Sequence, residues 1–388
     1  MSTNPPSRVR VLTVIRFPIG GIRSYLRYTY RWLAPECYEV TLLTVSHPEA
    51  KLLSGDLAPM RVCVVEADAS RPILSLLRHA RSLVREDRFD LIHSQGFTAG
   101  VLMAFANPLD RVPHVLTLHE TLRDEQFRGP FGPLKRRFLA LALSRIDRVI
   151  TVGEDANRNL LSHLPIPERA KRRIAIIRSG VDVDRLLQAA AEPRIALRER
   201  FEIDDRTACL GFFGRFMPEK GFEVLVDAVG RLEGSPASRV PFKVIAFNDG
   251  AFVREYRERI QRLGIGDRFL FAGLQPSVAA WMPDFDAAIM PSLREALPLA
   301  AMEAMAMGCP LVATDCVGLR EVTRDTPAIV ARAGDAASLA EAIERLLEDL
   351  PSVKAGAAEF AALARKRFDS RASAAALETV FADVRAAR

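Results

Sequence analysis

Two clusters in the second half of the chain carry residue types suited to a polyanion and a polyol. The first reads Gly214-Arg215-Phe216-Met217-Pro218-Glu219-Lys220-Gly221 and lies between a strand pattern ending at Phe213 and a helical pattern beginning near Phe222. Two fixed cations beside a helix N-terminus form a site for a diphosphate, because backbone N–H groups, the helix dipole and both side chains favour negative charge. A turn carrying two solvated basic residues is the plainer reading of the same residues. The second cluster runs Pro291-Ser292-Leu293-Arg294-Glu295-Ala296-Leu297-Pro298-Leu299 into Glu303 and Gly308. Pro298 suits the first helical position and Gly308 the left-handed exit, so this helix is bounded by its own sequence. The stretch Ala296, Leu297, Pro298, Leu299 then offers unbonded N–H groups to a ligand. Glu303, inside the helix, is within reach of a ribose diol, and Glu295, before it, is placed to accept from sugar hydroxyls. Taken blandly, Glu295 complements the helix dipole and Glu303 is a surface glutamate, but Ala300, Ala301, Ala304 and Ala306 imply close packing instead.

Two candidates lie in the first half. Gly20 and Gly21 follow the first strand pattern, where a glycine pair serves either a plain strand-to-helix turn or close approach of a ligand to backbone. His119 ends the strand Leu116-Thr117-Leu118, a position more often filled by a packed or capping histidine than by a reacting one. His93 reads as a weaker candidate of the same kind.

The elements that must hold these residues repeat one unit, a short β-branched run, a turn and a helical pattern. In the first half the strands are expected at 9–15, 40–45, 61–65, 91–93, 114–118, 148–152 and 174–177, with helices at 24–33, 74–86, 134–144 and 154–162. A polar stretch over about 186–205 separates them from a second set, with strands at 208–213, 243–246, 269–271, 287–290, 311–314 and 328–330 and helices at 222–232, 253–263, 299–307 and 338–347. Strands alternating with helices imply parallel sheets covered on both faces. The expectation is therefore α/β, two Rossmann-like doubly wound domains facing a central cleft, with ligands beyond the carboxyl ends of the strands. The domains are expected at 1–185 and 186–365, followed by an Ala-rich helical tail whose last part, 366–388, packs back on the first domain.

A chain of 388 residues exceeds one ordinary core, and 49% hydrophobic with 26% charged residues is average globular usage. No signal peptide and no span of the roughly 18 apolar residues needed to cross a bilayer are visible. The five cysteines include no C-x-x-C pair, which points to a reducing cytoplasm. A net charge of +6 and a pI near 9.2 favour polyanionic partners, yet no helix-turn-helix, RNA-binding or zinc-finger pattern is present, so nucleic acid is not expected. No G-x-G-x-x-G follows the first strand of either half, which argues against an oxidoreductase.

The motifs together resemble glycosyltransferase family 4, the large retaining group with the GT-B architecture. Glu295 and Glu303 match its pair of glutamates separated by seven residues, and the G-R-x-x-P-E-K-G loop, the D-A-A-I-M-P-S strand, the G-C-P-L-V-A-T-D run and the G-L-R-E-V turn follow in the family's order. The resemblance implies that Arg215 and Lys220 hold the donor diphosphate and stabilise the leaving group, that Glu303 binds the nucleoside ribose, and that Glu295 orients the donor sugar. It further implies that Gly20 and Gly21 admit donor phosphate, that His119 lines the reaction centre, and that a sugar moves with retained configuration from a UDP- or GDP-linked donor to a glycan or lipid-linked acceptor. Departures are Glu120 where an aspartate is common, Ser179 in place of an asparagine, and Phe247-Asn248-Asp249-Gly250 in place of a more glycine-rich loop.

Two D-x-D triplets, Asp182-Val183-Asp184 and Asp284-Phe285-Asp286, would suit a divalent ion on a diphosphate. Each sits against a strand and is read as structural, so no metal and no cofactor beyond the nucleotide-sugar co-substrate is expected. Lys135, Arg136 and Arg137 beside Phe138, Leu139, Leu141 and Leu143 fit peripheral contact with an anionic membrane at its inner face. They fit a solvated helix face over a buried stripe equally well. A nucleotide-sugar epimerase, a sugar phosphorylase and a non-catalytic nucleotide-sugar-binding scaffold stay open as alternatives; intact Glu295, Glu303, Arg215 and Lys220 speak against the last.

Overall fold

The computed structural model describes residues 8–86, 89–107, 112–234, 240–248, 250, 252–273, 278–296 and 298–387. The chain divides into two compact units, one running to Gly180 and including the segment from Ser370 onward, the other Val181–Asp369. The crossing points lie at residues 180 and 369, a few residues from those that composition suggests.

Seven parallel strands form the sheet of the first unit: β1 (Val9–Ile15), β2 (Tyr38–Val45), β3 (Arg61–Ala67), β4 (Leu91–Gln95), β5 (His114–Leu118), β6 (Arg148–Thr151) and β7 (Ile174–Ile176), in spatial order β3-β2-β1-β4-β5-β6-β7. Helices α1 (Gly20–Tyr30), α2 (Pro72–Glu86), α3 (Gly96–Ala106), α4 (Gly132–Ser144) and α5 (Glu154–His163) connect them. Alternation along β1 sends Val11 and Ile15 to one face and Leu12 and Val14 to the other. The first pair packs with Leu26 and Tyr30 of α1, the second with Leu76 and Ala80 of α2 and Met103 of α3. Helix α3 is not among the helices expected from sequence. It is apolar nearly all round and therefore lacks the 3.6-residue period, as a helix buried on most of its surface does.

The second unit has six parallel strands, β8 (Ala208–Phe213), β9 (Phe242–Phe247), β10 (Phe269–Gly273), β11 (Ala287–Met290), β12 (Leu311–Thr314) and β13 (Ile329–Ala331), ordered β10-β9-β8-β11-β12-β13. Its longer helices are α6 (Val183–Ala191), α7 (Phe222–Leu232), α8 (Val253–Arg262), α9 (Leu299–Ala306), α10 (Ala336–Glu348) and α11 (Leu350–Arg367). The stretch read as a polar separator thus begins inside a helix, whose N-terminus is capped by buried Asp182 accepting from the Arg185 amide at 3.2 Å and whose Leu186 is buried. Core packing is aromatic around Phe222, whose ring centroid lies 4.8 Å from that of Phe212 and 4.9 Å from that of Phe216.

The Ala-rich tail is two helices rather than one. Helix α11 ends at Arg367, and the final helix α12 (Ser370–Ala386) belongs to the first unit. There Leu377 and Phe381 join the core of β1 and α1, Trp32 Nε1 donates to Ser370 Oγ at 3.0 Å, and Ser373 Oγ donates to the Arg178 carbonyl at 2.6 Å. Phe381 is 1% exposed and meets the His93 ring edge-on at 5.1 Å. Replacing Phe381 with Ala is expected to cost about 3 to 5 kcal/mol, the usual range for a buried aromatic. Urea unfolding followed on the first unit checks this; an unchanged midpoint would show that α12 contributes nothing to that core.

Candidate active site

In both sheets the strand order reverses beside the first strand of the unit, between β1 and β4 and between β8 and β11. Loops leaving such a pair diverge to opposite faces and leave a crevice at the carboxyl edge. The candidate residues collect at these two places.

In the second unit, the loop after β8 is pinned by Phe216, which is 1% exposed, while its neighbour Arg215 is exposed with no hydrogen bond or ion pair of its guanidinium among the described residues. A short 3-10 turn (Pro218–Lys220) leads to Gly221 at φ +66°. A Cβ there would stand 1.9 Å from the Pro291 carbonyl oxygen, so only glycine lets the β8 loop press against the loop after β11. The Leu293 amide donates to the Glu219 carbonyl at 2.9 Å and ties the two loops together. As a result Lys220 Nζ lies 2.6 Å from Glu295 Oε1, which also accepts from Ser292 Oγ at 2.9 Å. Glu295 is only 10% exposed at its side chain, and Lys220 28%. One of the three ammonium donors serves Glu295, which leaves two for an anion, and Oε2 of Glu295 stays available to a hydroxyl.

Helix α9 starts at Leu299, with Pro298 as its N-cap (φ −82°, ψ 99°) rather than as its first residue. Extended backbone at Pro298 lifts the cap out of the helix, and no side chain caps it and no acid occupies its first turn. Among the described residues no side chain caps the amide end that the sequence suggests, and of its first turn the Ala301 amide donates to the Pro298 carbonyl at 3.2 Å. Ala296 precedes it and Leu297 lies outside the described residues. Ala301 and Ala304 are fully buried and Glu303 is half-buried, in keeping with a closely packed face.

Both D-x-D triplets are engaged within the fold. Asp182 caps α6, Asp284 accepts from Arg194 Nη2 at 2.8 Å and from the Leu197 amide at 3.1 Å, and Asp286 accepts from the Cys209 amide, Arg198 and Lys354 at 2.8 to 2.9 Å. Asn248, in the loop where a glycine-rich sequence is usual, takes φ +93°, and Asp249 lies outside the described residues. Ser179 is buried, its amide donating to the Val152 carbonyl at 3.4 Å.

In the first unit, Gly20 opens α1 at φ +59°, a conformation that glycine adopts without strain. Gly21 needs no such freedom, and a Cβ on it would meet nothing within 4 Å, so the chain leaves open space in front of the loop. His119 follows β5 and is half-buried; its Nε2 lies 2.7 Å from Gln95 Oε1 and its ring 4.6 Å from that of Tyr25. Glu120, one residue on, accepts from the Phe97 amide at 2.9 Å and so satisfies the first turn of α3. Its carboxyl sits raised from the ordinary value, because surrounding atoms desolvate it more than the Phe97 amide compensates.

His93 does not lie at a strand end. It is the middle residue of β4, fully buried, with Tyr30 OH 2.6 Å from Nδ1 and Thr117 Oγ1 2.8 Å from Nε2. Gln95 and Thr117, which complete this polar strip together with Tyr25 of α1, have no sequence signal, since isolated polar residues in buried strands follow no period. Register would have supplied one: Thr13 pairs with His93 and Gln95 with Thr117 across neighbouring strands.

Burial depresses three histidines of this unit, His93 well below its ordinary value, His114 to about 4 and His119 to about 3. The folded chain holds them neutral, whereas unfolding lets them take protons near the ordinary value of 6.5. Between about 4 and 6.5 the unfolded state binds more protons, so their contribution is intact above 6.5 and declines as pH falls through that window. Urea midpoints of the first unit should therefore drop from pH 7 to pH 4, by at most about 1.4 kcal/mol per pH unit for each histidine. A flat profile would contradict the burial of these rings.

Comparison with known proteins matches residues 19–185 to the model described as Glycosyltransferase Family 4 and residues 207–349 to that described as glycosyl transferases group 1. The 2-deoxystreptamine glucosyltransferase of Streptomyces kanamyceticus is 34% identical over 212 residues, 54% of this chain and 53% of that protein, so the match spans about half the relative's length. The 2-deoxystreptamine N-acetyl-D-glucosaminyltransferase of Streptomyces fradiae is 29% identical over 353 residues, covering 84% of this chain and 82% of that one. Among solved structures, Anabaena HepE in complex with UDP and glucose superposes with a TM-score of 0.80 at 22% identity, over 97% of this chain and 100% of that chain. With its two parallel-sheet units and both domain models matched in order, the chain belongs to glycosyltransferase family 4 and has the GT-B fold.

Proposed function

We propose that this glycosyltransferase moves a hexose-type sugar, with retained configuration, from a UDP- or GDP-linked donor to a glycan or lipid-linked acceptor in the cytoplasm, serving cell-surface polysaccharide or glycolipid synthesis. The observation that carries this reading is the Lys220–Glu295 pair at 2.6 Å beside the uncapped start of α9. The bond that breaks joins the anomeric carbon to the diphosphate, so negative charge grows on the departing phosphate oxygen, where Lys220, Arg215 and the α9 amides supply the positive field. Glu295 keeps Lys220 in place and offers Oε2 to a donor hydroxyl, while Glu303 takes the ribose diol. The acceptor hydroxyl attacks the same face of the sugar, with no protein nucleophile. The reading needs no divalent ion, because these groups already provide the charge and the D-x-D acids are engaged elsewhere. The complexes of HepE with UDP and UDP-glucose support a nucleotide-sugar donor. The relatives include a 2-deoxystreptamine glucosyltransferase, a D-inositol 3-phosphate glycosyltransferase and a mannosyltransferase of lipopolysaccharide core biosynthesis in Rhizobium meliloti.

Thermal shift against nucleoside diphosphates and their sugars tests the donor: stabilisation by UDP or GDP is expected, and a response to NAD alone would overturn the reading. Arg215→Ala and Lys220→Ala should each lower turnover by about 10² to 10³, as loss of one preorganised donor does.

A second observation bears on the acceptor. No helix among the described residues is long and apolar enough to cross a membrane. Helix α4 and the residue before it nevertheless present Phe131, Leu134, Phe138 and Leu141 to solvent in one stripe, the first 76% exposed and the second 65%. Phe105 of α3 extends the stripe by stacking on Phe138 at 5.4 Å. Of the three neighbouring cations, Lys135 donates to the Gln126 carbonyl at 2.9 Å and Arg136 lies 4.8 Å over the Phe127 ring and 3.5 Å from Asp124, while Arg137 is exposed. Apolar anchors flanked by cations suit peripheral contact with an anionic leaflet. Flotation with phosphatidylglycerol vesicles should then fail for Phe131→Ser combined with Leu134→Ser; binding that persists undiminished in this pair excludes the stripe as the anchor.

A further inference from the structure

Neighbouring strands β1, β4 and β5 place a continuous hydrogen-bonded chain of side chains on the face that α1 and α12 cover. Thr13 Oγ1 lies 3.0 Å from Tyr30 OH, which lies 2.6 Å from His93 Nδ1; His93 Nε2 lies 2.8 Å from Thr117 Oγ1. The amide nitrogen of Gln95 stands 3.2 Å from the ring edge of His93, and its carbonyl oxygen 2.7 Å from His119 Nε2. Gln95 is 2% exposed and His93 fully buried, so every polar atom here must find its partner within the chain.

The amide of Gln95 has one donating and one accepting end. Its NH2 faces the ring edge of His93, 3.2 Å from both ring nitrogens. Its carbonyl faces only His119 Nε2, which must therefore donate. The tautomer of His119 thus follows the orientation of the Gln95 amide. Because burial keeps His119 neutral, it carries a single N–H, and a proton fixed on Nε2 leaves a lone pair on Nδ1. Among the described residues His119 Nδ1 makes no hydrogen bond, and the Tyr25 ring at 4.6 Å restrains the imidazole plane.

We infer that Gln95 is a positioning residue that locks His119 as the Nε2–H tautomer, so that Nδ1 accepts a hydrogen bond from a substrate hydroxyl. This deepens the proposed sugar transfer and rests on the reading of His119 as part of the reaction centre. A neutral acceptor nitrogen selects a sugar bearing a free hydroxyl at the contacted carbon and discriminates against deoxy or O-methyl analogues, because those leave Nδ1 desolvated and unpaired. It also makes His119 an orienting group with no proton on Nδ1, its own N–H being held by Gln95.

Long-range proton–nitrogen NMR on the full chain labelled with 15N-histidine reads the tautomer directly. Nε2–H in the wild type is expected, and Nδ1–H or an imidazolium at pH 7 would overturn the inference. Gln95→Leu should mix the tautomers and lower kcat by about 10- to 100-fold at unchanged KM for the donor, by analogy with loss of a partner that orients a ligating histidine. Gln95→Glu, which keeps an acceptor opposite Nε2, should restore the Nε2–H form and part of the rate. Wild-type kcat in Gln95→Leu, or no recovery in Gln95→Glu, counts against the assignment. If the wild type transfers no sugar, the proposed function fails instead, and the tautomer measurement still decides the role of Gln95.

Discussion

The contact on which the second unit's chemistry depends is the approach of two loops at Gly221. Parallel strands β8 and β11 are neighbours, but their connections run to opposite faces of the sheet, and nothing in that topology requires the loops to touch. They touch because residue 221 has no Cβ to collide with the Pro291 carbonyl. Phe216 fixes one loop in the aromatic core, and Thr314 Oγ1, donating to the Ser292 carbonyl, fixes the other from β12. An ammonium and a carboxylate from residues 75 apart in sequence then become direct partners. A pair of this kind contributes little to stability, since the ions are part-exposed and screened. Its consequence is positional: the part-exposed ammonium is fixed beside the carboxylate.

The first unit uses the corresponding edge differently. Its crevice strands carry hydroxyls, an amide and imidazoles, all neutral, where the second unit carries fixed charges. Desolvation accounts for the neutrality, because the sheet face bearing His93 is roofed by α1 and α12 and water is excluded. One unit thus carries fixed charges at its switch point and the other neutral hydroxyl, amide and imidazole groups.

Much of this was legible in the residues. Strands β1, β5, β8, β11 and β12 and helix α7 have the bounds read from sequence, because short β-branched or apolar runs were closed by turn residues and because α7 has a clear apolar stripe. The failures have distinct physical origins. Helix α3 was invisible because burial on most sides erases amphipathic period, α6 was hidden in a stretch that looks polar until Leu186 is seen to be buried, and Pro298 stepped back one place to serve as a cap. His93 and Gln95 resisted for the complementary reason: what they bind is set by strand register, and register is a property of neighbours far away in sequence. Lys220 and Glu295 were found by motif, while the bond between them belongs to the tertiary structure alone.

The return of α12 to the first unit has a bearing on how the polypeptide matures. Leu377 and Phe381 leave the ribosome after the whole of Val181–Asp369, yet they close the core around β1 and α1, which leave before it. The amino-terminal unit therefore waits, unfinished, for the entire carboxyl-terminal unit to be synthesised, whereas Val181–Asp369 holds all of its own sheet in one uninterrupted stretch. A nascent chain stalled or clipped before Ser370 would keep its second unit whole and leave its first unit with an open apolar face, a natural target for chaperones and proteases.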